Sequence, residues 1–495
     1  MVGFPTNGRW ASAVAFDPLR HRLYCAPALS RASAVVPPQE SGPGTPDEGA
    51  PSLAQEAPAA AAGTDLARGL RASLWTVVGY GAGHALRLGS NLILTRLLFR
   101  EAFGLMALVN TLLFGLVMLS DLGIGPSIVQ SRRGHEPAFV NTAWTLQVAR
   151  GVFLLLVSCA IAWPAARFYG EPRLLALVPA IGLNALCLGL NSTSFYTLNR
   201  RLDQSKLVLI ELVSQVVSIV VMVCWALVHP TVWALLGGGS VGFLVKMAAS
   251  HTLERDRRNR LSWDPSAARE LIHFGRWIFL SSILTFFAGK LDALVLGRLL
   301  PMGDLGVYSI ASTLARLPLE VMVSLATWVM FPLLSESFRR ADGSLHKNLL
   351  RMRCLVVLPT VLASLLLALF GDRLIHLLYD SRYQDAGLLV RILGAGAVGA
   401  AVSASSGAAL FAMGNSFLNM VLEGARVALL IAAMTLGHHF FGARGLVIGV
   451  ASVGPLIYPF WAVVLHRKGL WQPLLDLPVL LISYGAIAAW VWLLG

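Results

Sequence analysis

Long apolar runs follow one another along this chain from Leu70 onward, with short breaks between them. Each run is roughly 18–25 residues long, the length that an α-helix needs to cross a bilayer. Because lipid offers no hydrogen-bond partner to a backbone N–H or C=O group, each run must be helical. The sequence therefore predicts an all-α polytopic membrane protein with thirteen spans, near residues 73–98, 103–130, 139–166, 174–198, 206–228, 231–250, 272–298, 305–334, 354–378, 387–413, 417–440, 445–465 and 473–494.

The composition argues against a water-soluble protein or a nucleic-acid-binding protein. Of the 495 residues, 56% are hydrophobic and only 13% are charged, whereas roughly a quarter of an ordinary globular chain is charged. The formal net charge of +13 is distributed between the apolar runs instead of being clustered in one soluble domain. We therefore expect the lipid bilayer, and not nucleic acid, as a partner. The cysteines in or beside the apolar runs lack metal-ligand spacing, so we expect neither a metal nor a cofactor.

Lysine and arginine concentrate in alternate connections between the spans. The richer connections include Arg68 and Arg71, Arg132 and Arg133, Arg200 and Arg201, Arg339 and Arg340, and Arg467 and Lys468. The positive-inside rule places these connections in the cytoplasm. The expected location is the inner (cytoplasmic) membrane, with a cytoplasmic N-terminus and, because the number of spans is odd, an external C-terminus.

One long basic connection divides the spans into two sets. Within it, Asp264 followed by Pro265 predicts the N-cap and the first residue of a new helix. We expect an N-lobe bundle of six helices over residues 69–250, a basic cytoplasmic linker over 251–270, a C-lobe bundle of six helices over 271–466, and an accessory transmembrane helix over 467–495. Residues 1–68, rich in Pro, Ala, Gly and Ser, are expected to form a disordered cytoplasmic tail.

Two similar phrases join the first and second spans of each predicted lobe: TRLLFREAFGLMAL at 95–108 and GRLLPMGDLGVYSI at 297–310. At an offset of about 202 residues, six residues of the first region recur as identical residues in the second: Arg96, Leu97, Leu98, Gly104, Thr111 and Leu112 recur as Arg298, Leu299, Leu300, Gly306, Thr313 and Leu314. Both copies fall on the same side of the membrane, so the repeats are parallel. Two parallel repeats with a path between them are typical of transporters.

Six stretches of the chain resemble a known family: EAFGLMALV, SDLGIGPSIVQ, FVNTAWTLQVARG, FYGEP, LDALVLGRLLPMGDLGVYSIA and FGDRLIHLLYDSRYQDAGLLVRIL. They occur, from about residue 90 to 395, in the order typical of the oligosaccharide flippase (polysaccharide transporter, Wzx-type) family. This family belongs to the multidrug/oligosaccharidyl-lipid/polysaccharide flippase superfamily. One departure is Arg100, which stands before Glu101 where the family usually has Pro.

The resemblance implies a substrate and a mechanism. A polyprenyl diphosphate that carries an oligosaccharide repeat unit would be moved from the cytoplasmic to the outer leaflet by alternating access. The product would serve surface polysaccharide biosynthesis, as O-antigen, capsule or exopolysaccharide. A polysaccharide polymerase and export machinery would be further partners.

Such a substrate requires cations for its diphosphate, in a wet cavity between the lobes. Ionisable residues at membrane depth are costly and mark such cavities. The predicted diphosphate contacts are Arg87 in the first span, Arg150 in the third and Lys290 in the seventh; a guanidinium group matches phosphate oxygens well. The structural alternatives are a helix–helix hydrogen bond to a carbonyl or a pair with Asp121 for Arg87, and an intrahelical partner or Asp121 for Arg150.

Further polar side chains are expected to line the sugar path or to bind a coupling cation. His84 and Asn91 share a helical face with Arg87, and Glu211 and Gln215 belong to a polar stripe of the fifth span. The full predicted set is His84, Asn91, Asp121, Glu211, Gln215 and Asp292. The alternatives are a polar helix–helix seam for the stripe, and Arg298 or Lys290 as an ion-pair partner of Asp292. Arg316 with Glu320, and Glu423 with Arg426, are expected to pair within their own helices.

Three other functions compete with the flippase interpretation. A membrane glycan polymerase or ligase would show a sizeable external loop with catalytic residues, but the predicted external connections are short, so we expect no enzyme. A cation-coupled exporter of drugs or organic cations would need an acidic, aromatic cavity, whereas the mid-span charges include three cations. A non-transporting scaffold would not need polar helix faces in both lobes.

Overall fold

The computed structural model describes residues 57–201, 203–253, 259–326, 330, 345–412 and 416–494. The chain separates into two compact units, Met1–Ala61 and Ala62–Gly495. Of the first unit only helical residues 57–61 are described, and the predicted membrane spans belong to the second. Residues 1–56 of the expected disordered tail, and residues 254–258 of the expected linker, lie outside the described residues.

The described residues form helices and no β-strand. The helices are α1 (Ala57–Leu97), α2 (Arg100–Met118), α3 (Ile124–Gln130), α4 (Pro137–Tyr169), α5 (Leu174–Leu190), α6 (Ser194–Arg200), α7 (Gln204–Val228), α8 (Val232–Ser250), α9 (Pro265–Leu299), α10 (Met302–Leu325), α11 (Leu345–Leu378), α12 (Ala386–Ala412), α13 (Ser416–Arg467) and α14 (Pro473–Leu494), with a short 3₁₀ turn at Ser381–Tyr383.

The helices confirm the predicted spans. Within the described residues, nine helices are long and apolar enough to cross a membrane, and α5 with α6 makes a tenth, bent by 52°. Helix α13 consists of two arms that meet at Gly442, where φ is 59° and ψ is −138°. Together with α1, α10 and the second arm of α13, these segments match the thirteen predicted spans. The chain is a multi-pass membrane protein.

Helix α1 begins earlier than expected. Its first residue, Ala57, lies inside the stretch 1–68 for which disorder was expected. The opening sequence APAAAAGTDLARGL is rich in alanine, the residue with the highest helix propensity. The low hydrophobicity of these residues shows where the apolar span begins. It does not show where the helix begins, because the helix extends beyond the span toward the N-terminus.

The break between α5 and α6 leaves backbone carbonyls without helical partners. The Gln147 side chain of α4 fills this role: its Nε2 donates to the carbonyls of Leu188, Gly189 and Asn191 at 3.1, 3.2 and 3.0 Å. Gln147 is 5% exposed. Irregular backbone at membrane depth is tolerated where protein groups satisfy it, and this glutamine does so here.

The helices pack most extensively with neighbours from their own half of the chain. In the first half α4 packs along α5 and α7 along α8; in the second half α11 packs on α12 and α12 on α13. The main contact between the halves joins α2 to α10, the two helices that carry the doubled phrases. Helix α9 packs on α2 and α4 as well as on α13. The exact lobe boundaries stay a prediction.

The predicted start of α9 is confirmed. Asp264 is the N-cap, and its Oδ1 accepts from the backbone N–H of Ser266 at 2.9 Å. Its other oxygen, Oδ2, forms an ion pair with Arg133 at 2.9 Å, and its N–H donates to Thr142 Oγ1 at 3.0 Å. The Ser266 hydroxyl and the Arg133 guanidinium lower the pKa of the Asp264 carboxyl below its ordinary value. These bonds join the start of α9 to the α3–α4 connection.

Candidate functional site

A cavity of about 460 Å³ lies between the two halves of the chain. Helices α1 and α2 of the first half and α9 and α10 of the second supply its polar lining. Those side chains are His84, Arg87, Ser90, Asn91, Asn110, Thr111, Lys290, Asp292, Tyr308, Ser309, Ser312, Thr313, Arg316 and Glu320. The structure thus brings five of the predicted site residues to one place: His84, Arg87, Asn91, Lys290 and Asp292.

Two cations of this cavity have no acidic partner in the part of the chain that the structure describes. Arg87 is exposed, and no ion pair or side-chain hydrogen bond to it is found among the described residues. Lys290 is half-buried and likewise forms no ion pair within the described part of the chain; its Nζ lies 5.8 Å from the centroid of the Phe114 ring. Each half of the chain therefore contributes one positive charge that is available to a ligand.

Two buried polar atoms in the lining also lack partners within the described residues: Nε2 of His84 and Oδ1 of Asn91. Burying such a group without a hydrogen bond costs about 1–3 kcal/mol. The other ring nitrogen of His84, Nδ1, lies 3.8 Å from the Glu320 carboxylate, and its ring packs on Tyr80 with centroids 4.3 Å apart.

Asp292 lines the cavity, but its charge is already neutralised. Its Oδ2 accepts from Arg316 at 2.6 Å and from the Tyr308 hydroxyl at 2.5 Å. The predicted partners of Asp292, Arg298 and Lys290, are therefore wrong. The antiparallel packing of α9 and α10 brings Arg316 to Asp292, so the expected intrahelical pair of Arg316 with Glu320 is not formed among the described residues.

Arg150 lies elsewhere, in a separate pocket of about 300 Å³ within the first half. Its Nε donates to Ser120 Oγ at 3.0 Å and its Nη2 to the Val117 carbonyl. It thus binds the last turn of α2, where a positive charge is favourable because the helix dipole is negative at that end. The expectation that Arg150 joins Arg87 and Lys290 in one site is corrected, because its guanidinium group is already hydrogen-bonded at the end of α2.

Asp121 lies in the same separate pocket as Arg150. Its Oδ1 accepts from the Gly123 N–H at 2.9 Å and its Oδ2 from the Ser282 hydroxyl at 3.4 Å. Gly123 has φ of 59° and is the N-cap residue of α3, so Asp121 stabilises the turn between α2 and α3. Its predicted place in the cavity is therefore corrected as well.

The predicted polar stripe of α7 is used for helix packing. Glu211 forms an ion pair with Lys246 of α8, and Gln215 Nε2 donates to the Gly83 carbonyl of α1 at 2.8 Å. Neither side chain belongs to the cavity lining. Glu211 and Gln215 therefore form the polar helix–helix seam that was the structural alternative, because their partners lie on the adjacent helices α8 and α1.

Sequence reasoning missed the second-half contribution from α10. Tyr308, Arg316 and Glu320 all line the cavity. Arg316 and Glu320 inside an apolar run could have indicated a cavity, but their i, i+4 spacing indicated instead that they neutralise each other within the helix. The pair expected in α13, Glu423 with Arg426, is confirmed at 3.6 Å.

The fold and this cavity together define a class. A helical membrane protein whose two repeated halves enclose a polar cavity with cations from both has the architecture of a transporter. A family described as "Polysaccharide biosynthesis protein" matches residues 93–387, more than half of the chain. The protein belongs to that family, and the resemblance drawn from the sequence is confirmed.

Individual proteins extend this assignment. The chain is 26% identical over 264 residues to the succinoglycan biosynthesis transport protein ExoT of Rhizobium meliloti, and the alignment covers 52% of each chain. It is 22% identical over 409 residues to the lipopolysaccharide biosynthesis protein WzxC of Escherichia coli, covering 79% of this chain and 82% of that one. Thus the alignment reaches about half the length of ExoT and most of WzxC.

A solved structure shares the fold. The inward closed conformation of the lipid II flippase MurJ superposes with a TM-score of 0.69 over 84% of this chain and 92% of MurJ. The sequence identity is 12%, so the likeness is one of architecture.

Proposed function

We propose that this protein is a lipid-linked oligosaccharide flippase. Its cargo would be a polyprenyl diphosphate that carries a glycan repeat unit, moved from the cytoplasmic to the outer leaflet of the inner membrane for surface polysaccharide biosynthesis. The names of the relatives support this cargo class, since one refers to succinoglycan biosynthesis transport and the other to lipopolysaccharide biosynthesis. A polysaccharide polymerase and export machinery are the proposed downstream partners.

The observation that carries the proposal is a pair of cations in one cavity between the halves, Arg87 and Lys290, neither of which has an acidic partner among the residues that the structure describes. Opposite unit charges 4 Å apart attract by about 4 kcal/mol at an effective dielectric constant of 20. A diphosphate bound between the two side chains would interact with both. Because each half supplies one cation, the diphosphate would also connect the halves.

The proposed transport cycle uses the two lobes as moving bodies. We assign residues 69–250 to the N-lobe and 271–466 to the C-lobe, with the linker 251–270 and the N-terminus in the cytoplasm. The contact of α2 with α10 then lies at the external end, and the bonds of Arg133 with Asp264 at the cytoplasmic end. Opening one end while the other stays closed would expose the cavity to one leaflet at a time.

A drug or organic-cation exporter is the competing function. That cargo requires an available negative charge. The Asp292 carboxylate is hydrogen-bonded to Arg316 and Tyr308. Glu320, which faces His84, is the one remaining acid among the described residues of the lining. The balance of available charge therefore favours an anionic cargo.

The test replaces each cation by a neutral residue of similar length. Arg87→Gln and Lys290→Gln, and above all the double variant, should abolish surface glycan in cells that lack their own flippase, while the protein still inserts. Arg444→Gln is the matched control, because Arg444 is exposed and outside the cavity. Normal surface glycan in the double variant would contradict the proposal.

A further inference from the structure

A second cavity of about 400 Å³ adjoins the first on the side of the second half of the chain. Helices α10, α12 and α13 form it, with Tyr80 of α1 at its edge. The two cavities share three lining residues, Ser312, Arg316 and Glu320. A ligand group bound between Arg87 and Lys290 therefore has this chamber, the α10–α13 chamber, as its immediate neighbour.

The charge of the α10–α13 chamber differs from that of the first cavity. The four charged side chains of its described lining are two bases and two acids: Arg316, Arg426, Glu320 and Glu423. Arg426 and Glu423 pair at 3.6 Å, whereas Arg316 pairs with Asp292. The chamber thus has no cation without an acidic partner among its described residues, and it offers an anion no net attraction.

The carboxylates of the chamber remain accessible despite these pairs. The Glu320 side chain is 49% exposed and that of Glu423 is 30% exposed. Ionised carboxylates accept hydrogen bonds at both oxygens, and O–H···O⁻ bonds are among the strong ones. Trp461 and Tyr80 add aromatic rings to the lining, beside small residues such as Ala400 and Ser403. Aromatic surface, small side chains and accessible acceptors suit a ring that carries several hydroxyl groups.

Building on the proposed function, we propose that the α10–α13 chamber binds the sugar residues next to the diphosphate, and that it accepts neutral, hydroxyl-rich sugars. Glu320 and Glu423 accept hydrogen bonds from the sugar hydroxyls, while Arg87 and Lys290 hold the diphosphate. A volume of about 400 Å³ falls in the range of roughly 300–1,000 Å³ that small-molecule sites occupy. Within the described lining of the chamber, a sugar that carries a carboxylate would meet two carboxylates and no cation that lacks an acidic partner.

The experiment measures the affinity of the full-length protein in nanodiscs for two probes. The first is undecaprenyl diphosphate, and the second is undecaprenyl diphosphate linked to N-acetylglucosamine. Because Glu320 also lines the first cavity, removing its charge should not weaken binding of the bare diphosphate. Glu423→Gln should leave binding of the bare diphosphate unchanged and weaken that of the sugar-bearing probe about tenfold, and Glu320→Gln should lower the affinity for the sugar-bearing probe relative to the bare diphosphate by a similar factor. This is the effect of losing one hydrogen bond to a charged group. Glu171→Gln is the matched control, because Glu171 is a paired glutamate outside both cavities.

The outcomes separate this inference from the proposed function. Arg87→Gln should weaken binding of both probes. If it does so, while both glutamate variants bind the two probes as the unmodified protein does, the sugar subsite is refuted and the flippase proposal stands. Equal weakening of both probes by folded Glu423→Gln protein would also refute the subsite. If Arg87→Gln affects neither probe, the proposed function itself fails.

Discussion

Gly104 of α2 lies directly against Gly306 of α10. A Cβ atom placed on Gly104 would stand 1.8 Å from the Met302 carbonyl oxygen, and one placed on Gly306 would stand 2.0 Å from the Arg100 carbonyl oxygen. These glycines occupy equivalent positions in the two doubled phrases. The repeated sequence therefore marks the place where the two halves of the chain pack together through bare backbone.

Replacing either glycine should separate α2 from α10. Gly104→Ala or Gly306→Ala places a methyl group against a backbone carbonyl that has no rotamer to change. Overpacking of this kind costs about 1–3 kcal/mol. We expect a lower midpoint of thermal unfolding in detergent and reduced disulfide cross-linking between cysteines introduced at Arg100 and Gly303, where a Cβ atom on Gly303 would lie 3.4 Å from Arg100 Cγ.

Gly485→Ala is the control for this prediction, since a Cβ at Gly485 meets nothing within 4 Å. Alanine there should stabilise α14 slightly through its higher helix propensity. Unchanged unfolding and cross-linking in Gly306→Ala would show that the close approach of the two helices is not required.

Arg382 connects the two halves at the same end of the molecule. It follows α11, and its guanidinium donates to the carbonyls of Thr95, Arg96 and Leu98 at 3.3, 3.1 and 3.4 Å. These carbonyls lie at the C-terminal end of α1, where a cation contributes about 0.3–1 kcal/mol. Arg382→Gln should raise the labelling rate of a cysteine at the buried position Leu98 several-fold. Arg373→Gln, which alters an arginine beside Phe370, should leave that rate unchanged.

The opposite end should show a pH-dependent stability through Asp264. Its carboxyl has a pKa below the ordinary value of 3.8, because the Ser266 hydroxyl and Arg133 stabilise the charged form. A lowered folded-state pKa contributes stability that is complete above the ordinary value and is lost as the pH falls through the lowered value. Neutral and mildly acidic pH should therefore leave this contribution intact.

Asp264→Asn tests this dependence. At pH 7 the variant should unfold at a lower temperature than the unmodified protein, because both the N-cap and the ion pair with Arg133 are weakened. The difference between the two proteins should shrink as the pH falls below about 4. If the difference in unfolding temperature stayed constant from pH 7 to below about pH 4, the loss of stability would be due to the hydrogen bonds of Asp264 and not to its charge.

A fully buried ion pair holds α14 to the second half. Arg353 of α11 is 1% exposed, Asp476 of α14 is 0% exposed, and they lie 2.9 Å apart. Arg353 also donates to Ser405 Oγ of α12 at 3.1 Å. Asp476→Ala leaves a buried cation without its partner, which should cost about 3–5 kcal/mol of unfolding free energy.

The double variant Arg353→Met, Asp476→Leu should recover much of that loss, because apolar residues of similar volume remove both desolvation penalties. Denaturant unfolding of the single and double variants in detergent measures both effects. A double variant as unstable as Asp476→Ala would indicate that the hydrogen bonds of Arg353, and not the charge pair, stabilise the packing of α14.

The sequence alone determined the class of fold and the positions of its helices. Apolar runs of bilayer length force the backbone to satisfy its own hydrogen bonds, so local composition is sufficient to predict helices. The Asp264 N-cap and the doubled phrases could also be identified from the sequence alone, since both are properties of short sequence stretches. The early start of α1 at Ala57 was missed because hydropathy indicates which residues lie in the membrane and not which residues are helical.

Only the tertiary structure decided which charged residues remain available. In the sequence, Arg87, Arg150, Lys290 and Arg316 each stand inside an apolar run, and Arg316 alone was expected to pair with an acid of its own helix, Glu320. Arg150 is occupied by the end of α2 and Arg316 by Asp292, while Arg87 and Lys290 face a common cavity. The physical reason is that neutralisation depends on partners from other helices, far away in the chain, and no local pattern contains that information.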